Sequence, residues 1–433
     1  METPQKSFNW KAIPLYVQIA IAIVLAIVVG ILLGAGHASE AVQGWANHLA
    51  VPCTLILKAL RTLATPLILL AVLHTFLTAD IPGRSGRKLA ILLITNTTVA
   101  IVIGLLVANV LQPGRFGKLT APTEAMHGKS LDPWGLLQEM VPESVVKPLV
   151  DNNVLQLIFL ALAFGIVLRG IKAHQIADGK RDYVAVEQGI AVMFEAVIRI
   201  LHWVIALVPI AVFGIVAKTI AIQGFEPFKA LGIFVLTVIL ALLLQGIYYL
   251  TRVKLGSWVS PQRFLQGGAD PLITAFSTAS STVTMPITFE ALIAKVGLRE
   301  SSASMGALVG SNFNNDGTAL YEAMAALFIA QVLGLNLSLP QQLVVILTSI
   351  VASVGAAGIP EAGLVTMTLV FSSVGLPTQY IALLITVDWF LDRCRTAINV
   401  MGDMTVSCLL DGPQPHQPDA EPFLLDPAET LAD

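Results

Sequence analysis

The sequence predicts an all-α polytopic membrane protein, and three observations carry that expectation. Of 433 residues, 55% are hydrophobic and only 12% charged, with a mean hydropathy of +0.78. A soluble domain carries about a quarter charged residues. Apolar runs recur along the chain at the length of about 20 residues that a helix needs to cross a bilayer. The last of these runs, Ile381 to Leu410, holds Asp388, Asp392, Arg393, Arg395, Asn399 and Asp403. Each charge at the bilayer centre costs at least about 2.5–3.5 kcal/mol, so this helix turns away from lipid. Together these features give eight transmembrane helices plus two re-entrant helical hairpins.

In chain order, a polar and basic amino terminus (1–12) precedes the first span, Ile13 to Gly34. A short segment from His37 to Asn47 leads to a second span, Val51 to Leu77. A basic loop ending at Lys88 precedes the third, Leu89 to Leu111. The polar stretch Gln112 to Glu143 contains Pro and Gly and reads as an outer loop. The fourth span is Val154 to Leu168, followed by Arg169, Lys172, Lys180 and Arg181. The fifth, Val186 to Ile222, is long enough to be one tilted span. The sixth is Ala230 to Leu250. Lys and Arg cluster at the amino terminus and after the even-numbered spans, which places those loops and both termini in the cytoplasm. The acidic, proline-bearing segment 412–433 reads as a disordered tail. The first apolar run lacks a small-residue cleavage site and stays as a span.

The second half departs from plain spans. Residues 258–296 and 337–374 each place small residues and a proline midway through an apolar run. That pattern fits a re-entrant hairpin, whose non-helical tip must line a cavity or pack inside protein. Each hairpin precedes a segment with an interrupted or charged centre, so the order reads as an internal inverted repeat. Such repeats set a substrate site near the midplane, between half-helices.

Two constellations carry chemistry. On the last helix, Asp388, Asp392, Arg395, Thr396, Asn399 and Asp403 fall at i, i+4, i+7, i+8, i+11 and i+15, which is one face. Arg393 lies off it. The face offers an anion binder, cation binders and neutral ligands, which suits a small zwitterion with an acidic side chain plus cations or protons. The blander alternative is a set of structural ion pairs. Gly310-Ser-Asn-Phe-Asn-Asn-Asp-Gly-Thr318 interrupts a helical run, because adjacent Asn, Asp and Gly favour local side-chain-to-backbone bonds. Unwinding there frees hard oxygen ligands beside Asn314 and Asp316, suited to Na⁺. Glu322 follows at i+4 from Thr318, and a carboxyl among apolar residues can carry a proton. The three cysteines (Cys53, Cys394, Cys408) lack metal spacing and read as buried small residues. No basic tract suggests nucleic acid.

Three stretches, Asn314–Glu322, Gly355–Gly363 and Asp388–Asp403, together resemble the dicarboxylate/amino acid:cation symporter family. The motif pattern is closest to the excitatory amino acid transporter branch: Arg393 sits on the last helix where that branch has an arginine, and Ala279 stands where archaeal members have one. The resemblance implies a homotrimer working as an elevator. Residues 13–86 and 146–224 would form its scaffold, and 87–111 and 228–411 its transport domain. It also implies uptake of L-glutamate or L-aspartate. Arg395 would hold the side-chain carboxylate and Asp392 the amino group. Ser281, Thr318, Thr396, Asn399 and backbone at Ile359 and Gly363 would complete the pocket, with Asp388 and Arg393 as supporting charges. One Na⁺ site would use Gly310, Asn314, Asn399 and Asp403. A second would use Asn312, Asn315, Ser353, Val354 and Ala356, and a third Asn96, Thr97, Asn314 and Asp316. Glu322 matches the glutamate that serves H⁺ coupling and affects K⁺ counter-transport. Asn312, Asn315 and Asn96 replace residues of the second and third sites, so Na⁺ and H⁺ both stand as driving ions. The resemblance implies a carrier, not an enzyme, and the lack of a long outer domain suits a prokaryotic inner membrane. A C4-dicarboxylate carrier is the alternative, opposed by Asp392. An anion channel and a membrane hydrolase are weaker, the latter because no histidine occurs between His202 and His416.

Overall fold

A computed structural model describes residues 13–37, 39–78, 83–117, 141–151, 154–355 and 362–415. The amino-terminal segment, most of the outer loop, the tip of the second hairpin and most of the tail lie outside this set. The regular structure among the described residues is helical. Five helices are each long and apolar enough to cross a membrane, or six if one bent pair is a single span.

The first group is α1 (Leu15–Leu32), α2 (Glu40–Leu49), α3 (Val51–Thr78), α5 (Val154–Ala177), α6 (Tyr183–Ile205) and α7 (Val208–Gln223). The helix between them in sequence, α4 (Gly83–Leu111), joins the second group. Packing in the first group centres on α7, which meets α1, α2 and α3, while α3 also meets α5 and α6. At Gly214 of α7 a Cβ would lie 1.8 Å from the Leu49 carbonyl oxygen, so only glycine lets the two backbones approach this closely. Lys172 of α5 donates to the Leu77 carbonyl at 2.6 Å and to Glu187 of α6 at 2.8 Å. It thereby satisfies an orphan carbonyl at the end of α3 and ties three helices.

The continuous fifth span expected from hydropathy is corrected to two helices, α6 and α7, bent by 41°. The break falls at Ala206–Leu207, and Pro209 stands in the first turn of α7. Proline removes an N–H that a continuous helix would use, whereas the first turn has no use for it.

The second group contains α4, α8 (Glu226–Gly256), α9 (Ala269–Thr278), α10 (Ser281–Ala291), α11 (Asp316–Val332), α12 (Leu339–Gly355), α13 (Ala362–Ser373) and α14 (Ile381–Asp411). α14 packs on α8, α9 and α11, and α4 packs on α11, α8 and α12. Phe234 of α8 stacks on Phe328 of α11 with ring centroids 4.4 Å apart. α9 and α10 form a helix–turn–helix pair. Its turn is set by Ala279 in the left-handed region (φ 53°) and by the Ser280 hydroxyl, which accepts from the Val283 N–H at 3.2 Å. α12 and α13 form the second such pair. The groups meet where α12 and α13 lie on α3 and where α14 touches α7.

Between the pairs, the chain passes through a π-helical turn (Ser304–Val309) and a 3-10 turn (Gly310–Asn312) before α11 begins. The break predicted over Gly310–Thr318 is therefore present, but it is shorter than expected, since Asp316, Gly317 and Thr318 already belong to α11. Asn315, at the N-cap of α11, makes no capping bond, because its amide is engaged elsewhere. The far end of α14 is fastened. Lys88 donates to the Leu409 carbonyl at 2.7 Å, and Trp258 and Arg299 donate to the Asp411 carboxylate at 2.7 and 3.0 Å.

Candidate functional site

The polar stripe of α14 faces inward. Asp388, Asp392, Arg395, Thr396, Asn399 and Asp403 are all buried, as their spacing predicts, whereas Arg393 is half-buried. The stripe is covered by the broken segment and α11 on one side and by the start of α13 above it.

Arg395 is the centre. Its Nη1 donates to Asp388 Oδ1 at 2.8 Å and its Nη2 to Asp392 Oδ1 at 2.7 Å. The guanidinium carbon sits 4.1 Å from the centroid of the Tyr321 ring, a cation–π contact strengthened by desolvation. Burying such a charge is tolerable only when it is paired and hydrogen-bonded. A Cβ on Gly363 would lie 3.2 Å from Arg395 Nη2 and 3.4 Å from Thr318 Cγ2, so the backbone of α13 covers the guanidinium directly. Thr396 donates to the Asp392 carbonyl at 2.8 Å.

Asn399 joins α14 to the start of α11. Its Oδ1 accepts from the Gly317 N–H at 2.8 Å, an orphan donor of the helix start. Its Nδ2 lies 3.3 Å from both Asn315 Oδ1 and Thr318 Oγ1. A Cβ on Gly317 would fall 2.7 Å from the Arg395 carbonyl oxygen, so α11 begins in backbone contact with α14.

The first predicted cation set comes together. Asn314 Nδ2 donates to Asp403 Oδ1 at 3.1 Å and to the Asn399 carbonyl at 3.2 Å. Gly310 lies beside Asp403. Asn314 Oδ1 is buried without a hydrogen-bond partner among the described residues. A free amide oxygen beside a carboxylate and a carbonyl is what a hard cation requires, so these residues fit Na⁺.

Of the other two sets, the second has described side chains only at Asn315 and Ser353, and the third is largely engaged in hydrogen bonds. Asn315 Nδ2 donates to the Ser353 carbonyl at 2.8 Å, linking the broken segment to the last turn of α12. Ala356 and Ile359 lie outside the described residues, as do the side chains of Asn312 and Val354. In the third set, Thr97 donates to Asp316 Oδ1 at 2.5 Å and Tyr249 donates to Asp316 Oδ2. Asn96 Oδ1 faces Arg252 Nη1 at 3.4 Å, and its unpartnered atom is the Nδ2 donor. The contacts of the third set leave less free oxygen for a cation than the first set does.

Glu322 is fully buried on α11. Thr366 of α13 donates to its Oε1, and Oε2 has no partner among the described residues. Ser281 is buried in the first turn of α10, which packs on α14. Arg393 leaves the stripe to donate to the Phe276 carbonyl at 3.1 Å and to the Ser277 carbonyl, both at the end of α9. It also lies over the Tyr16 ring of α1 at 4.7 Å.

Sequence reasoning missed four participants: Tyr321, Thr366, Tyr249 and Arg252. Tyr249 carries a signal, since it is a polar-tipped residue within the apolar run of α8 and, once buried, needs a partner. Thr366 carries none beyond its place in a small-residue helix.

A multi-helical membrane protein with a sealed, charged centre where one helix unwinds beside another belongs to the class of membrane carriers for charged solutes. The chain matches the sodium:dicarboxylate symporter family over residues 15–412 and belongs to that family. It is 31% identical to excitatory amino acid transporter 3 of Mus musculus, over 88% of this chain and 82% of that protein. It is 32% identical to the proton/glutamate-aspartate symporter of Escherichia coli (strain K12), over 88% of this chain and 89% of that protein. It is also 32% identical to excitatory amino acid transporter 4 of Mus musculus, over 84% of this chain and 77% of that protein.

Proposed function

We propose that this protein is a secondary active symporter that takes up L-glutamate or L-aspartate together with cations. The observation that carries the reading is Arg395, fully buried and shared between Asp388 and Asp392 beneath the backbone of α13. A carboxylate entering this site gains a guanidinium fork with two parallel donors. Its arrival releases Asp392 to receive an amino group, which a plain C4-dicarboxylate lacks. Thr318, Thr396, Asn399, Ser281, Gly363 and Ile359 complete the pocket in this reading. The names of the relatives, which include both acidic-amino-acid carriers and a proton symporter, support the substrate class.

Cation coupling follows from the family. Asn314, Asp403, Gly310 and the Asn399 carbonyl would hold Na⁺, which would neutralise Asp403 and fix the unwound segment against α14. Proton-driven, sodium-independent transport is the second reading. It is favoured by the unpartnered oxygen of buried Glu322 and by the occupied donors around Asp316 and Asn315.

In this reading α4 and α8–α14 move as the transport domain, and α1–α3 with α5–α7 stay as the scaffold of a homotrimer. The tip between α12 and α13 is the outer gate. The protein sits in a prokaryotic inner membrane with cytoplasmic termini.

The test is reconstitution in liposomes, with L-aspartate and L-glutamate uptake measured under an inward Na⁺ gradient or an inward H⁺ gradient, each imposed alone. Accumulation under either gradient supports symport, and the gradient that works names the ion. Downhill flux without accumulation under both rules symport out. Competition by succinate as strong as by aspartate overturns the amino acid assignment.

A further inference from the structure

We infer a second anion site, remote from Arg395, in the cavity where α3, α7 and the start of α14 meet. This cavity has a volume of about 480 Å³. Lys58 and Arg61 of α3 and Lys218 of α7 line it, and its lining contains no carboxylate. None of the three cations has an ion-pair or side-chain hydrogen-bond partner among the described residues. The rest of the wall is mainly apolar, with Leu57, Ile215 and Leu383 among its residues.

The placement of the charges along the two helices makes the site informative. Arg61 lies ten residues into α3, about 15 Å along the helix at 1.5 Å per residue. Lys218 lies five residues from the end of α7, about 8 Å from that end. Within these two apolar helices Lys58 and Arg61 are exposed and Lys218 is half-buried, so their charged ends are open to the cavity rather than sealed inside protein. Three unpaired cations around one cavity repel one another, and a single anion relieves all three at once.

The cavity is much larger than a halide, and its walls are part cationic and part apolar. Those features select an amphiphilic or polyvalent anion, and the chemistry common to both is a phosphate group. The apolar walls favour the phosphate of an anionic phospholipid headgroup, with its glycerol and acyl region along Leu57, Ile215 and Leu383. Because the start of α14 forms one wall, the bound headgroup would bridge α3 and α7 to the helix that carries Arg395.

The experiment uses the full-length protein purified in neutral detergent. Binding of phosphatidylglycerol and phosphatidylcholine is measured by native mass spectrometry, and binding of inorganic phosphate by calorimetry. Three variants are compared with wild type: Lys58→Gln/Arg61→Gln/Lys218→Gln, the charge-keeping Lys58→Arg/Arg61→Lys/Lys218→Arg, and a control with the loop charges Lys180 and Arg181 changed to Gln. Each cation near an anionic headgroup contributes about 1 kcal/mol, so the neutral triple variant loses about a hundredfold in affinity for the tightest phosphatidylglycerol. The charge-keeping variant and the loop control retain it. Phosphate binding with the same dependence on the three cations, but without preference between the lipids, would assign the site to a phosphate anion from solution. Equal binding of the two lipids by wild type together with no phosphate binding overturns the inference. So does unchanged phosphatidylglycerol binding in the neutral variant. The wild-type comparison needs no variant to fold.

Discussion

Replacing Arg395 by Cys separates the two tasks given to this side chain. Its two charge-assisted bonds, at 2.8 and 2.7 Å, go to carboxylates that are themselves buried. Removing the cation leaves Asp388 and Asp392 facing each other without compensation, a loss of about 3–5 kcal/mol for breaking a buried ion pair. The unfolding temperature of Arg395→Cys should fall accordingly. The double variant Asp388→Asn/Arg395→Cys removes half of the uncompensated charge and should recover part of that loss. Substrate affinity should not recover, because the acidic side chain still lacks its fork. Two charge-assisted bonds at about 1.5–3 kcal/mol each correspond to at least a hundredfold weaker binding of L-aspartate. The assays are thermal unfolding in detergent and calorimetric titration with L-aspartate, repeated with L-serine, whose binding should not weaken comparably. Aspartate affinity retained within threefold in the double variant refutes the role assigned to Arg395. A stability unchanged by Arg395→Cys refutes the energetic argument.

Three further expectations can be tested on the same preparation. Asn314→Ala takes a donor from the buried Asp403 carboxylate and should cost about 1–3 kcal/mol of stability while raising the half-saturating cation concentration for aspartate binding at least tenfold. Gly317→Ala forces a Cβ to 2.7 Å from the Arg395 carbonyl, and this overpacking should destabilise by about 1–3 kcal/mol and slow uptake more than a control on the surface of α5, Gly170→Ala, where the space is open. Glu322→Gln keeps an acceptor for Thr366 but removes the releasable proton. If H⁺ drives uptake, exchange of external for internal aspartate should persist in liposomes while accumulation under an inward H⁺ gradient disappears.

The positions that could be read from the sequence are those where periodicity and cost coincide. The stripe from Asp388 to Asp403 repeats every three to four residues and could not face lipid, so its burial followed from spacing alone. The break was legible because Asn, Asp and Gly between Gly310 and Thr318 compete locally with the helix, although its end at Asn315 was not, since Asp316 and Gly317 begin α11. The bend between α6 and α7 was hidden by unbroken hydropathy, with Pro209 as its single mark. Tyr321 beneath Arg395 and Thr366 beside Glu322 depend on which helices become neighbours. That is decided by tertiary packing, which no single helix encodes. The donors around Asp316 come from α4 and α8, far apart in the chain.

The buried acids of α11 and α14 also have an electrical consequence. Among the described residues of these two helices, Asp316, Glu322, Asp388, Asp392, Asp403 and Asp411 are buried, against the buried guanidinium of Arg395 and the half-buried one of Arg393. With every group ionised, this part of the protein holds a surplus of four negative charges. Any motion that carries these helices through a potential of 100 mV exchanges up to about 2.3 kcal/mol with the field for each charge, or up to about 9 kcal/mol in all. If the proposed transport domain moves as an elevator, an inside-negative membrane would resist inward travel of the bare site, and each bound cation would remove one unit of that resistance. The membrane voltage would then act as a gatekeeper, sorting loaded from unloaded protein by its charge before any loop closes.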